Sequence, residues 1–451
     1  MAEKKVKTPL SEELRRYGYV FEMKKSMLMY LAAAGTAVAL GCFFSLGAVE
    51  IAVLGIWIGA FLPFFVRNAY KNKYEQQRFS DAGIYMEQFL YSFQKSAKVL
   101  ATLENMMQLF EEGPMREAVA KAREYILHTF QGEQVEQQAL KIIEDEYPAH
   151  QIVTMHRFAL QVEKNGGEYT QSILLMLEIR RMWTDRIYQL MNARKKQRFQ
   201  IFLSIAASLL LCSMISLLSG SLGICIGEMP LTRVVTLSVL MADFYIFYRA
   251  DRKLSAEILS EENEKDKDFL WQYRILRKEK RRDPIHVLQR RIAFRNVSRE
   301  LEKEFPKWLM QVSLLLQSEN VQVAIFRSYG DAPKILKPEL KQMMKALEKH
   351  PADIAPYLNF LKDFPLPEVR SSMKMLYSLS EGTGGDASFQ IADIIRRNQV
   401  MLDKAQKMKN EDALAGMYVL FLAPQLTGGV KIVIDMLVLL VSYLGSYGLG
   451  G

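Results

Sequence analysis

Three long apolar blocks, at 27–66, 199–248 and 413–444, constrain this chain more than any other feature. A helix needs about 20 apolar residues to cross the hydrocarbon core of a bilayer. The first block is broken once, near 45–50, so it reads as two spans at 27–46 and 51–66. A cleaved leader has one short apolar region and does not fit. The second block gives spans at 199–218 and 231–248, separated by a loop with Gly220, Gly223, Gly227 and Pro230. The third is interrupted by Pro424, Gly428 and Gly429. Taken as one straight helix it would run about 48 Å, longer than a bilayer core. Either two short spans form a third hairpin or one span is followed by an interfacial helix, and six spans are expected over five. Arg233 lies near one end of its span, and three charged side chains lie deeper in these blocks. Asp243 is an intramembrane carboxylate, and Lys431 and Asp435 stand four apart and can pair on one helix face. Asp243 faces a helix partner or lies near the headgroups. The neighbouring Phe244, Tyr245, Phe247 and Tyr248 suggest a membrane interface.

The average mean hydropathy of −0.03 hides this segregation. With 14 Pro, 25 Gly and 3 Cys in 451 residues, collagen-like, disulfide-scaffold and disordered classes are excluded. Cys42, Cys212 and Cys225 lie in or beside apolar blocks and read as small membrane hydrophobes. The net charge of +9 has a clear distribution. Lys24 and Lys25 precede the first span, and Arg67, Lys71 and Lys73 follow the second. Arg194, Lys195, Lys196 and Arg198 precede the third, and Arg249, Arg252 and Lys253 follow the fourth. The short loops at 45–50 and 219–230 hold no Lys or Arg. The positive-inside rule then places the N-terminus and both long segments in the cytoplasm.

Those segments, 67–198 and 249–412, make up most of the chain. Leu90, Phe93, Ala97, Leu100 and Leu103 recur at helical spacing, as do Trp308, Val312, Leu315, Leu316 and Val321. Each set predicts one apolar stripe facing a core. No alternating run bounded by hairpin turns occurs. The expected class is all-α: a multi-pass membrane protein with two cytoplasmic helical-bundle domains. The predicted order is a basic N-terminus (1–26), a hairpin (27–66), a helical domain (67–198) and a second hairpin (199–248). A charged helical linker (249–299), a second helical domain (300–412) and a C-terminal membrane segment (413–451) follow. The basic part of the linker suits anionic lipid headgroups. Nucleic-acid binding lacks both a motif and interleaved aromatic platforms.

A repeat runs through the two segments. The first holds Glu163, Gly166, Gly167 and Glu168, then an apolar-striped helix, then Arg180-Arg181. The second holds Glu381, Gly384, Gly385 and Asp386, then the same pattern, then Arg396-Arg397. Each E-x-x-G-G-[ED] reads as a helix–turn–helix elbow. Glycine permits a left-handed cap on one helix, and the acid suits the positive end of the next. No Lys-Ser or Lys-Thr follows the glycines, as a phosphate-cradling loop requires.

Two helical segments, each with such an elbow and each leading into spans, resemble the type II secretion system F-domain family. These are inner-membrane platform proteins of type II secretion and type IV pilus machines. The layout is most similar to the tight-adherence (Tad/Flp) branch. The resemblance is carried by Glu163, Gly166 and Gly167, and by Glu381, Gly384, Gly385 and Asp386. It implies a non-enzymatic platform in the cytoplasmic membrane. A cytoplasmic hexameric secretion ATPase would meet the helical domains and the basic stretch 251–299. Pilin or pseudopilin transmembrane helices would meet the spans, and the platform would work as a homo- or hetero-oligomer.

Signs of catalysis are lacking in the sequence. His128, His150, His156, His286 and His350 form no HExxH and read as surface or satisfied core residues. No nucleophile elbow occurs, and no metal or cofactor spacing. The rival expectation is a membrane transporter subunit, which needs polar residues or broken helices at midplane.

Overall fold

The computed structural model describes residues 10–129, 134–166, 169–221, 223–257, 259, 265–277, 284–316, 319–382 and 387–448. These residues form helices and turns, with no strand among them. The helices are α1 (Leu10–Arg16), α2 (Met23–Phe43), α3 (Ala48–Ser96), α4 (Val99–Leu109), α5 (Pro114–His128) and α6 (Val135–Glu146). Next come α7 (His150–Asn165), α8 (Thr170–Ser221), α9 (Pro230–Leu254), α10 (Lys265–Arg277), α11 (Pro284–Leu315) and α12 (Val321–Ser328). The chain ends with α13 (Lys337–Lys349), α14 (Ala355–Asn359), α15 (Pro367–Glu381), α16 (Ala387–Leu414) and α17 (Met417–Gly448).

The chain divides into two compact units. One is Met1–Arg78, Gln189–Ile258 and Leu414–Gly451, and the other is Phe79–Tyr188 and Leu259–Ala413. The first gathers the apolar helices. Among the described residues, five helices are long and apolar enough to cross a membrane: α2, α3, α8, α9 and one within Phe389–Gly445, whose apolar part is α17. Their contacts use small residues, with Ala33 and Ala37 of α2 packed among Leu54, Ile58, Cys212 and Leu240. Small side chains let helix backbones approach where lipid gives no hydrophobic drive. The aromatic run at 244–248 packs against α3. Phe65 lies 5.5 Å from Phe244 and 5.7 Å from Phe247, and Phe61 lies 4.8 Å from Tyr248.

The expected third hairpin is a single helix. Pro424, Gly428 and Gly429 all lie inside α17. Proline removes the N–H that would reach the carbonyl four residues back, and so weakens a helix locally. The carbonyl left without its usual partner is that of Leu420, and in the turn that follows it α8 places hydroxyl donors on the carbonyls of Phe421 and Pro424.

The second unit contains two runs of helices with the same neighbour pattern. In the first run, α4 packs on α5, α5 on α6 and α6 on α7, and α4 closes on α7. In the second, α12 packs on α13, α13 on α14 and α14 on α15, and α12 closes on α15. The first core holds Phe79, Phe89, Phe93, Leu103, Leu140, Ile143 and Trp183. The second is built on Leu301, Phe305, Trp308, Val312, Leu340, Met373 and Leu376. Both predicted stripes cross a helix break. The first passes from α3 to α4 through Ala97, at φ 50°; Leu90, Phe93 and Leu103 are buried, and just past the break Val99 is buried where Leu100 is only partly so. The second ends on Val321, the first residue of α12. Spacings of three and four survive such a break, which is why periodicity alone does not reveal it.

Candidate functional site

The polar groups of the first unit converge on a seam where α8 and α9 meet α17. Ser204, Ser208 and Cys212 stand four apart on α8, one above another on a single face. Ser204 Oγ donates to the carbonyl of Phe421 at 2.7 Å, and Ser208 Oγ to that of Pro424 at 2.6 Å. Cys212 Sγ donates to the carbonyl of Gly428 at 3.7 Å. The approach is close enough that a Cβ on Gly428 would fall 2.0 Å from Ser208 Oγ. A side chain at 428 would therefore push Ser208 Oγ off its hydrogen bond to Pro424.

From the other side, α9 turns Thr232, Thr236, Val239, Leu240 and Asp243 inward, a stripe of helical period. Asp243 is buried, and its Oδ1 accepts a hydrogen bond from Thr427 Oγ1 at 2.7 Å. One turn along α17, Lys431 pairs with Asp435, and both are buried. Asp243 thus faces a partner helix, and the spacing of four at 431 and 435 brings that pair together. The seam holds two carboxylates against one ammonium. Asp243 Oδ2 and Asp435 Oδ1 are buried without a hydrogen-bond partner. A lone buried charge in a membrane is costly. Asp243 has a hydroxyl as its hydrogen-bond partner, whereas Asp435 has the Lys431 ammonium.

At the basic end of the same helices, Asp251 of α9 ties the bundle together. Its Oδ2 accepts from Asn68 Nδ2 at 2.8 Å, and its Oδ1 meets Arg198 Nε at 2.9 Å.

The elbow residues do structural work. Glu163 Oε2, on α7, accepts from the backbone N–H of Val99 at 3.1 Å and so caps the start of α4. Lys98 Nζ stands 3.7 Å from its other oxygen. Gly166 ends α7 at φ 67°. In the second run Glu381 closes α15, and Gly382 takes the left-handed position at φ 67°. That cap was expected at the Gly384-Gly385 pair. Gly167, Glu168, Gly384, Gly385 and Asp386 lie outside the described residues. The α12 start is capped instead by its own Asn320, whose side chain accepts from Val323 N at 2.9 Å.

One buried network stands apart. Tyr85 Oη lies 2.8 Å from His156 Nε2, and His156 Nδ1 lies 2.9 Å from Glu144 Oε1. Neutral imidazole satisfies both, donating to the carboxylate and accepting from the phenol. Burial lowers the His156 pKa, against the pull of Glu144, and pushes the Tyr85 hydroxyl well up. Sequence reading treats His156 as surface or satisfied core, and the structure puts it in the core.

Sequence analysis missed the Ser204, Ser208 and Cys212 ladder and its acceptors. A signal was present: small polar residues repeated every four positions on α8, opposite Pro424 and Gly428. Among the described residues, no cluster of His, Cys, Asp and Glu is placed to hold a metal. No family model, curated protein or solved structure matches this sequence.

Proposed function

We propose that this chain is a membrane platform protein of a pilus-assembly or protein-secretion machine, of the kind the type II secretion F-domain family provides. In this reading the two helical runs are cytoplasmic domains that receive a hexameric secretion ATPase. The apolar helices receive pilin or pseudopilin transmembrane segments, and the protein transmits the work of the first to the second. What supports the reading is the repetition: two runs share one neighbour pattern, and each ends in a helix that leads toward an apolar span. The elbow acid Glu163 then has the task of holding α7 to α4, and no catalytic role.

The second reading, a transporter subunit, is favoured by one observation, the bare buried Oδ2 of Asp243. One experiment separates the two. The full chain, solubilised in detergent with the secretion ATPase of the same genome, is expected to give a complex that survives gel filtration. No complex, together with solute flux through vesicles carrying the full chain and its loss in Asp243→Asn, would instead carry the transporter.

A further inference from the structure

The helices that follow α9 present a face that the rest of their unit leaves uncovered. On α11, Val287, Leu288 and Ile292 are 55%, 60% and 52% exposed, and Arg291 and Arg295 are exposed with them. At 100° per residue these five fall within about 140° of arc, one side of the helix. Ala293 and Val297, on the opposite side, are buried. On α10, which packs against α11, Tyr273 points into the core and hydrogen-bonds Glu339, while Trp271, 62% exposed, and Arg274 face outward. Three exposed aliphatic side chains with two arginines on α11, and an exposed tryptophan with an arginine on α10, form outward faces that water alone does not suit.

We infer that the Trp271–Leu288–Ile292 face, with Arg291 and Arg295, lies on an anionic lipid surface as an interfacial anchor. Charge supplies the first argument. Between Asp283 and Glu300 the sequence has no acidic residue, and it carries Arg290, Arg291, Arg295 and Arg299. Arg299 is engaged by Asp412 at 2.9 Å, whereas Arg291 and Arg295 sit on the apolar face itself. Composition is the second. An apolar arc with tryptophan and basic residues is the pattern that rests at the headgroup–acyl boundary. Connectivity is the third. Leu254 ends α9, with Arg252 and Lys253 in its last turn, and Lys265 begins α10. The tether between them is ten residues, which span at most about 36 Å. The tether therefore allows α10 to begin close to the end of an apolar helix whose basic residues suit the headgroup level. The inference needs the chain to sit in a membrane, and it does not need the ATPase reading to hold.

The test is photo-crosslinking in the full chain. A benzophenone amino acid replaces Leu288 or Ile292, with Val297 as the buried control. The protein is reconstituted in nanodiscs of phosphatidylcholine, alone or with about 30% phosphatidylglycerol. The expected result is a lipid adduct at 288 and 292, absent at 297, that rises with the anionic lipid. Arg291→Glu with Arg295→Glu should lower the adduct at least about fivefold, since each arginine near a charged surface contributes roughly that factor. Arg291→Gln with Arg295→Gln guards against misfolding and should give an intermediate loss, with the thermal midpoint unchanged. An adduct that ignores phosphatidylglycerol, or none at either position, overturns the inference. So does a discrete protein adduct in native membranes, which would assign the face to a protein partner.

Discussion

The two helical runs of the second unit share a neighbour pattern but are closed by different chemistry. In the first, α3 and α8 meet through rings. Phe79 lies 5.0 Å from Trp183 and 5.4 Å from Tyr188, and Arg180 adds an ion pair to Glu87 at 2.9 Å. In the second, α11 and α16 meet along a charged ladder. Lys303 pairs with Asp412 at 2.7 Å, Lys404 with Glu302 at 2.5 Å and Lys409 with Glu304 at 3.5 Å. Behind that ladder, Asn398 Nδ2 donates to the carbonyl of Pro306 at 3.0 Å. The same topology tolerates either closure, because topology is fixed by which faces are apolar and the closing contacts only register one helix on another. Shared fold in the two halves therefore does not imply shared sensitivity to salt or pH.

Substitutions can break that comparison at graded strength. The largest effect is expected at Trp308, fully buried in the second core with its Nε1 donating to Ser328 Oγ at 2.8 Å. Trp308→Ala should cost about 3–5 kcal/mol in denaturant unfolding of the detergent-solubilised protein. A loss below 1 kcal/mol would mean that the second run has no core of its own to lose.

Next comes the acid side of the first run. The His156 pKa is lowered by burial, so the folded state binds its proton less readily than the unfolded state does. Its contribution is complete above the ordinary histidine pKa of about 6.5 and declines as pH falls below it. Between pH 6.5 and 5 the loss is at most about 2 kcal/mol. Thermal midpoints across that range should drop in the wild type and flatten in His156→Gln. An equal slope in both proteins would remove His156 as the source.

The charged ladder is expected to respond in a third way. Lys303 keeps a raised pKa: burial opposes the charge, but Asp412 and Glu300 outweigh it. Its stabilising share is present below the usual lysine pKa and fades only as pH climbs past it. Asp412→Ala should cost about 1–2 kcal/mol, a modest figure because Asp412 is about a third exposed and solvent screens the pair. Replacing both partners, Lys303→Met with Asp412→Leu, should recover most of it. The matching variant in the first run, Arg180→Met with Glu87→Leu, should be near neutral, because the rings there carry the closure.

The smallest effect sharpens the contrast in helix starts. Glu163→Gln should cost about 1 kcal/mol by weakening the α4 cap, and Asn320→Ala about the same at α12. Glu381→Gln, the elbow position that caps neither start, should change stability by less than 0.5 kcal/mol. A loss at 381 equal to that at 163 would show that the two elbows do the same work.

The apolar helices and the all-α class were legible because both rest on composition over twenty or more residues. The single α17 was not, since Pro424 and Gly428 are helix-breaking locally, and the α8 groups that meet this stretch, Ser204, Ser208 and Cys212, lie more than 200 positions away. The Lys431–Asp435 pair was legible because its spacing is local. The partner of Asp243 was not, because Thr427 lies 184 positions further on. The Glu163 cap was hidden in the same way: the motif marked the residue but gave no sign of Val99.

That cap has a consequence for the order in which the chain takes shape on the ribosome. The α12 start carries its own acceptor, Asn320, and can be capped as soon as it is made. The N-terminus of α4 must wait for Glu163, 64 residues later. At ordinary elongation rates that is about 3 to 13 s, long compared with helix formation itself. During that interval α4 fluctuates with an open end, so the first half of the protein, although translated earlier, has this turn completed by a residue from the far end of its own run.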